Sequence, residues 1–249
     1  MIQLIHVSKD FGGAKKALSD ISVEIPDGEF VFLIGPTGAG KTTLIKLITR
    51  EVSPTEGQVV VDGEDIATIP ESQLFLLRRK VGMVFQDLKL LMDRTVFENI
   101  AVGMEVLGKT PEEIEKGVTD VLGLVELSDK AQLFPIQLSQ GEKQRIALAR
   151  AIVAGPTILL ADEPTGNLDP ETSEDILEIL KEVNKMGTTI IVVTHNAQIV
   201  DTHKKRTITL KAGELVSDEV KGKYQFTKRA HHEGKREHKE ERKDHEKED

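Results

Sequence analysis

The segment Gly35-Pro36-Thr37-Gly38-Ala39-Gly40-Lys41-Thr42 fits the pattern G-x-x-x-x-G-K-[ST] with every fixed position filled. Glycines let such a segment turn with its N–H groups pointing inward around phosphate oxygens. A helix starting there adds partial positive charge. In that setting Lys41 pairs with the outer phosphates of a nucleoside triphosphate, and the Thr42 hydroxyl reaches a bound Mg2+. The plainer reading is a Gly-rich strand-to-helix turn with no ligand. The apolar run Phe30-Val31-Phe32-Leu33-Ile34 just before the segment supplies the context that the phosphate reading requires.

Hydrolysis of a phosphoanhydride also needs an acid to orient the metal and a group to position the attacking water. Ile158-Leu159-Leu160-Ala161-Asp162-Glu163 reads as a buried strand ending in two acids. Side chains alternate along a strand, so these neighbours are expected to point in different directions and take different tasks. Asp162 is the candidate for Mg2+, directly or through water, and Glu163 for the general base. His195 follows Ile190-Ile191-Val192-Val193 and Thr194, at the carboxyl end of another strand, where ligands of open α/β sheets sit. A histidine in such a place is more often a loop hydrogen-bonder than a catalytic group.

The elements that must hold these residues are visible in the hydrophobic pattern. Strands are predicted near Gln3–Val7, Ile21–Ile25, Glu29–Ile34 and Gln58–Val61, with a helix from Gly40 to about Arg50. Residues 70 to 139 read as mostly helical, with Ile114, Val118, Val121, Leu122 and Val125 on one face after a Pro111 start. Then come a helix Glu142–Ala154, a strand Thr157–Ala161, a helix Pro170–Met186 and a strand Thr188–Val193. The expected class is α/β: a phosphate-loop core with an N-terminal antiparallel β subdomain and an inserted helical subdomain at about 87–155. The core would span 1–222, followed by a charged tail from 223 to 249. Residues 228–249 carry 8 Lys and Arg, 8 Asp and Glu and 4 His, too little apolar surface to offset ordering entropy.

Composition narrows the function further. At 249 residues the chain can bury one sizeable core, and with no cysteine it has neither disulfides nor thiolate metal sites. A net charge of −9, all of it outside the neutral stretch 228–249, opposes a nucleic-acid partner. No basic leader with a long apolar stretch opens the chain, and no run approaches 18 apolar residues, so neither export by a signal peptide nor a membrane span is expected.

Leu138-Ser139-Gln140-Gly141-Glu142, opening the helix that continues Lys143-Gln144-Arg145, resembles the signature of the ABC ATPases. The resemblance covers about residues 1 to 220. The family's landmarks follow in order: Phe11 at the adenine-stacking aromatic, the phosphate loop with Lys41, Thr42 and Thr43, Gln86 at the Q-loop, the signature, the acidic strand, Asn167-Leu168-Asp169 at the D-loop and His195 at the switch histidine. Phe11 replaces the more usual Tyr and keeps a π-face for stacking. Gln140 stands where the family usually has glycine, which narrows the backbone options there. Phe85-Gln86-Asp87-Leu88-Lys89-Leu90-Leu91-Met92-Asp93-Arg94-Thr95-Val96-Phe97-Glu98-Asn99-Ile100 resembles the cell-division branch of the family. Asp162 to Asp169 is shared more widely, with branches acting in lipoprotein release and macrolide efflux.

The resemblance implies an ATP- and Mg2+-dependent ATPase. Two chains would sandwich two ATP molecules, with Ser139, Gln140, Gly141, Glu142 and Asp169 of one chain facing the nucleotide held by the other. Gln86 would sense Mg2+ and water, and residues of about 89 to 99 would face an integral, FtsX-like membrane subunit at the cytoplasmic face of the membrane. A lipoprotein-release or efflux and uptake ATPase, and a nucleotide-gated mechanical link with slow hydrolysis, remain alternatives. DNA-repair members carry a long coiled coil between phosphate loop and signature, whereas Lys41 and Ser139 are only 98 residues apart.

Overall fold

The computed structural model describes residues 1–13 and 16–224. The charged tail expected from residue 223 therefore lies, from 225 onward, outside the described residues. The N-terminal third builds β1 (Ile2–Lys9), β2 (Leu18–Ile25), β3 (Phe30–Ile34), α1 (Lys41–Ile48), β4 (Glu56–Val61) and the two-residue β5 (Glu64–Asp65). The middle contains α2 (Leu74–Lys80), β6 (Val81–Val84), α3 (Val96–Glu105), α4 (Pro111–Leu124) and α5 (Gln140–Ile152). The last third follows with β7 (Ile158–Asp162), α6 (Pro170–Lys185), β8 (Thr189–Val193), α7 (Ala197–His203), β9 (Arg206–Lys211) and β10 (Glu214–Glu219).

Two sheets result. β2-β1-β4-β5 is antiparallel, with Leu4 facing Val23 on one side and Val59 on the other. The larger sheet runs β10-β9-β3-β8-β7-β6, parallel except for the edge strand β10. All five residues of β3 are buried, as befits a parallel strand covered on both faces. Phe30, Phe32 and Ile34 enter the core beneath α3 to α7, whereas Val31 and Leu33 enter the core shared with α1 and the antiparallel sheet. Parallel strands bring their carboxyl ends to one edge, so the segments after Ile34, Val84, Asp162 and Val193 all emerge together. The register aligns them: Leu33 and Asp162 both pair with Val193.

Three helices of the middle region begin alike. Thr95 caps α3, Thr110 caps α4 and Ser139 caps α5, and in each the Glu three residues on returns a bond to the cap's own N–H. On α4, Val118 and Leu122 are buried, while Ile114 and Val121 pack at the core's margin.

The mostly helical reading of residues 70 to 139 needs one correction: it contains the strand β6, paired in parallel with β7. β6 is four residues long and holds Gly82, where a Cβ would stand 2.4 Å from the Ala151 carbonyl oxygen. Such a short run has no period to read, and its glycine is there for the close approach of α5. Among the described residues no helix is long and apolar enough to cross a membrane.

Candidate nucleotide site

The phosphate loop joins β3 to α1. Gly35 passes so near β9 that a Cβ would lie 2.3 Å from the Leu210 carbonyl oxygen. Gly40 caps α1 at φ 103°, and a Cβ there would meet the Ala17 oxygen at 2.7 Å. These two glycines are therefore fixed by neighbouring backbone, before any ligand is considered. Ala39, buried, closes the turn by donating its N–H to the Pro36 carbonyl at 3.1 Å, and its own carbonyl accepts from Gly213 N–H at 3.1 Å. Pro36, Thr37, Gly38 and Thr42 are exposed on the outer side of the loop, and Thr43 is half-buried behind it. Lys41 Nζ donates to the carbonyls of Gly35 at 2.8 Å and Pro36 at 3.2 Å, which holds the ammonium at the mouth of the loop.

Asp162 ends β7 half-buried. Burial, and then the charge of Glu163, push its carboxyl above the ordinary aspartate range, with Lys41 pulling the other way. Glu163 does not continue the strand. Its φ is 51°, and its N–H donates to the Val193 carbonyl at 2.9 Å. The divergence of the two acids thus comes from a left-handed residue at the strand end, and not from strand alternation. Glu163 Oε1 lies 2.7 Å from His195 Nδ1, with the carboxylate side chain 12% exposed and the imidazole 72%. Lys41, Asp162, Glu163 and His195 accordingly gather at one sheet edge. Gln86 is exposed just beyond β6 on the same edge. Phe11, 61% exposed, stands just past β1, with Lys9 Nζ 4.9 Å from its ring centre.

The signature residues lie elsewhere. Ser139, Gln140, Gly141 and Glu142 line a groove with Asn167 and Asp169, and none of Lys41, Asp162, Glu163 or His195 enters that lining. Ser139 Oγ accepts from Glu142 N–H at 3.3 Å, and Glu142 Oε2 accepts from Ser139 N–H at 2.7 Å. An ion pair with Lys130 and these cap bonds hold the Glu142 carboxyl below its ordinary range. Gln140 is the first residue of α5 and takes ordinary right-handed backbone, so the expected restriction from its not being glycine does not arise. A larger residue at Gly141 would crowd α6: a Cβ would meet Thr172 Cγ2 at 2.6 Å. Asp169 caps α6, accepting from Thr172 N–H at 3.0 Å and from Thr172 Oγ1 at 2.6 Å.

Sequence reasoning passed over Lys130, Thr172 and Tyr224. The Tyr224 phenol is raised by burial and by the charge of Glu163. The S-x-x-E spacing points to the Lys130 partner Glu142, but a tyrosine near the chain's far end carries no local signal.

A phosphate loop and an acidic strand end at one edge of a parallel sheet, with a serine-capped helix on a separate face, define a P-loop ATPase of cassette type. The family model for the ABC transporter matches residues 18–166, and the chain belongs to that family as an ATP-hydrolysing, nucleotide-binding cassette. Within it the chain groups with the cell division ATP-binding proteins named FtsE. It is 51% identical over 224 residues to FtsE of Bacillus subtilis strain 168, covering 90% of this chain and 98% of that protein. It is 44% identical to FtsE of Escherichia coli K12, covering 86% and 97%. Among solved structures it resembles a dimeric ATP-binding cassette in a post-hydrolysis state bound to ADP and Pi, with 35% identity, a TM-score of 0.80 and coverage of 89% of this chain and 100% of that one.

Proposed function

We propose that two copies of this chain close head to tail over two ATP molecules and that hydrolysis reopens them, driving an FtsX-like membrane subunit that regulates cell-wall hydrolases during division. The carrying observation is the separation within one chain of the Ser139 groove from the Lys41, Asp162, Glu163 and His195 cluster. A capped helix N-terminus suits an anion, and a nucleotide held on one copy can meet that helix only from another. The dimeric cassette with ADP and Pi supports the arrangement, and the FtsE relatives support the division role.

In this reading the phosphate-loop amides and Lys41 hold the triphosphate, and Phe11 stacks on adenine. Glu163 takes a proton from the attacking water as its oxygen bonds to the γ-phosphorus. The bond from that phosphorus to the β-bridging oxygen breaks, and ADP carries away the electron pair. His195, through Nδ1, holds the Glu163 carboxylate in place. Among the described residues no three of His, Asp and Glu gather as a self-sufficient metal site, which fits Mg2+, an ion usually held by one or two protein groups plus phosphate oxygens. Thr42, Asp162 and Gln86 would hold it, and it would supply charge neutralisation at the phosphates.

Residues of about 89 to 99 face the membrane subunit, so the chain is peripheral, at the cytoplasmic face, with no nucleic-acid partner. Affinity capture of the full-length chain from native membranes tests this. Recovery of an FtsX-type integral subunit is expected, and reproducible recovery of a transporter permease in its place contradicts the division role.

A further inference from the structure

The segment between Gln86 and α3 is held by two side chains that the hydrolytic reaction does not use. Leu88 and Lys89 are consecutive left-handed residues, at φ 57° and 50°. Neither is glycine, and such a pair persists only where its surroundings impose it. The surroundings here are the core that buries the Leu88 side chain, local bonds from Leu88 N–H to the Phe85 carbonyl at 3.0 Å and from Lys89 N–H to the Asp87 carbonyl at 2.6 Å, and one guanidinium: Arg150, on α5, donates from Nη2 to the Leu88 carbonyl at 2.7 Å and from Nη1 to the Lys89 carbonyl at 2.8 Å. Two residues beyond Lys89, at Leu91, Asn99 of α3 takes over. It is 0% exposed; its Oδ1 accepts from Leu91 N–H at 2.8 Å, and its Nδ2 donates among the carbonyls of Leu91 at 2.9 Å, Arg94 at 3.1 Å and Thr95 at 2.9 Å. Leu91 and Met92 nevertheless present their side chains outward, 38% and 52% exposed, beside a hollow lined by Arg94, Phe97 and Phe134.

We propose that Arg150 and Asn99 are positioning residues that hold 88–95 as a preformed platform joined to the signature helix α5, so that the membrane subunit docks on a rigid surface and feels α5 move. The proposal rests on the reading that this face meets such a subunit. Arg150 lies on the same helix that Ser139 caps. A displacement of α5 toward nucleotide on the facing copy is therefore passed to the Leu88 and Lys89 carbonyls through a forked, two-bond contact. The ordering entropy of the loop is already spent before docking, which favours fast and specific engagement.

Hydrogen exchange on the full-length chain without nucleotide tests the platform directly. The wild-type Leu91 amide is expected to exchange at least ~10²-fold more slowly than an unstructured amide, since its part-buried bond to Asn99 must open first. Arg150→Lys, whose single ammonium cannot span two carbonyls as a fork, is expected to speed exchange at 88–91 by ~10-fold with the KM for ATP within about twofold of wild type. Copurified with an FtsX-type subunit, the same variant is expected to lose roughly 3- to 30-fold in kcat at unchanged KM, a split that general loosening of the fold does not give. Asn99→Ala should repeat the exchange result at Leu91. Wild-type exchange of Leu91 at the unstructured rate overturns the proposal without any variant, and so does an Arg150→Lys complex with undiminished kcat. A protected loop in a wild-type chain that the subunit fails to stimulate supports the platform and counts against the partner reading alone.

Discussion

His195 Nδ1 lies 2.7 Å from Glu163 Oε1, and the two residues reach each other from different strands, one just beyond β8 and the other just beyond β7. The contact depends on the left-handed turn of Glu163, whose N–H is tied to the Val193 carbonyl at 2.9 Å. The imidazole holds one carboxylate oxygen, and the Val193 bond fixes the backbone that carries it. In the proposed hydrolysis, a fixed acceptor of this kind would serve as the general base.

Asp162 is expected to lower the stability of the chain in the absence of Mg2+ and nucleotide. Its carboxyl is raised in the fold, so the native state holds the proton more tightly than the unfolded state does. Stability therefore falls as pH rises from the unfolded value through the folded one. Asp162→Asn removes the charge and should raise the melting temperature at neutral pH. The gain should shrink as pH falls through the raised value, and Mg2+ with ATP should no longer stabilise the variant as it does the wild type. Melting curves across pH 4 to 8 check both parts.

α5 and α6 approach closely at Gly141 and Thr172, where a Cβ on Gly141 would lie 2.6 Å from Thr172 Cγ2. Gly141→Ala is expected to cost about 1–3 kcal/mol, the usual price of overpacking. Thr172→Ser deletes the obstructing methyl yet keeps the hydroxyl that bonds Asp169. The double variant should recover most of the loss, and a thermodynamic cycle by urea unfolding measures it. Additive losses would show that the helices do not meet through this pair.

Phe11 stands exposed with Lys9 over its ring, where a flat base can stack on the outer face. Phe11→Ala is expected to weaken ATP and ADP by about 1–3 kcal/mol, as loss of one base-stacking ring does. Calorimetry with ATP, ADP and inorganic triphosphate separates the roles: affinity for triphosphate alone should stay unchanged. Unaltered ATP affinity contradicts the stacking role.

The parts legible in the sequence are those whose information is local. Gly35 to Thr42 was readable because close backbone contacts at Gly35 and Gly40 and the chemistry of Lys41 demand fixed spacing. The buried strands β3, β7 and β8 were readable as apolar runs, and α5 from Glu142 onward, two residues inside its start at Gln140. What escaped depends on distance along the chain or on very short elements. β6 is four residues with a central glycine, and α7, β9 and β10 follow His195 in a stretch with no sustained period. Arg150 meets Leu88 from 62 residues away, and nothing local marks either as half of a pair. The left-handed Glu163 is a tertiary decision, taken by Val193, that strand periodicity cannot contain.

The mass of the Glu163→Gln variant in solution tests the central claim, that ATP joins two copies and hydrolysis at Glu163 parts them. Turnover is expected to fall by about 10²–10⁴-fold with ATP still bound, the usual worth of general-base help. Light scattering with Mg2+ should then give a stable dimer in ATP and a monomer in ADP, whereas the wild type returns to monomer as ATP is consumed. A variant that binds ATP tightly yet keeps one and the same mass in ATP and ADP would contradict the account.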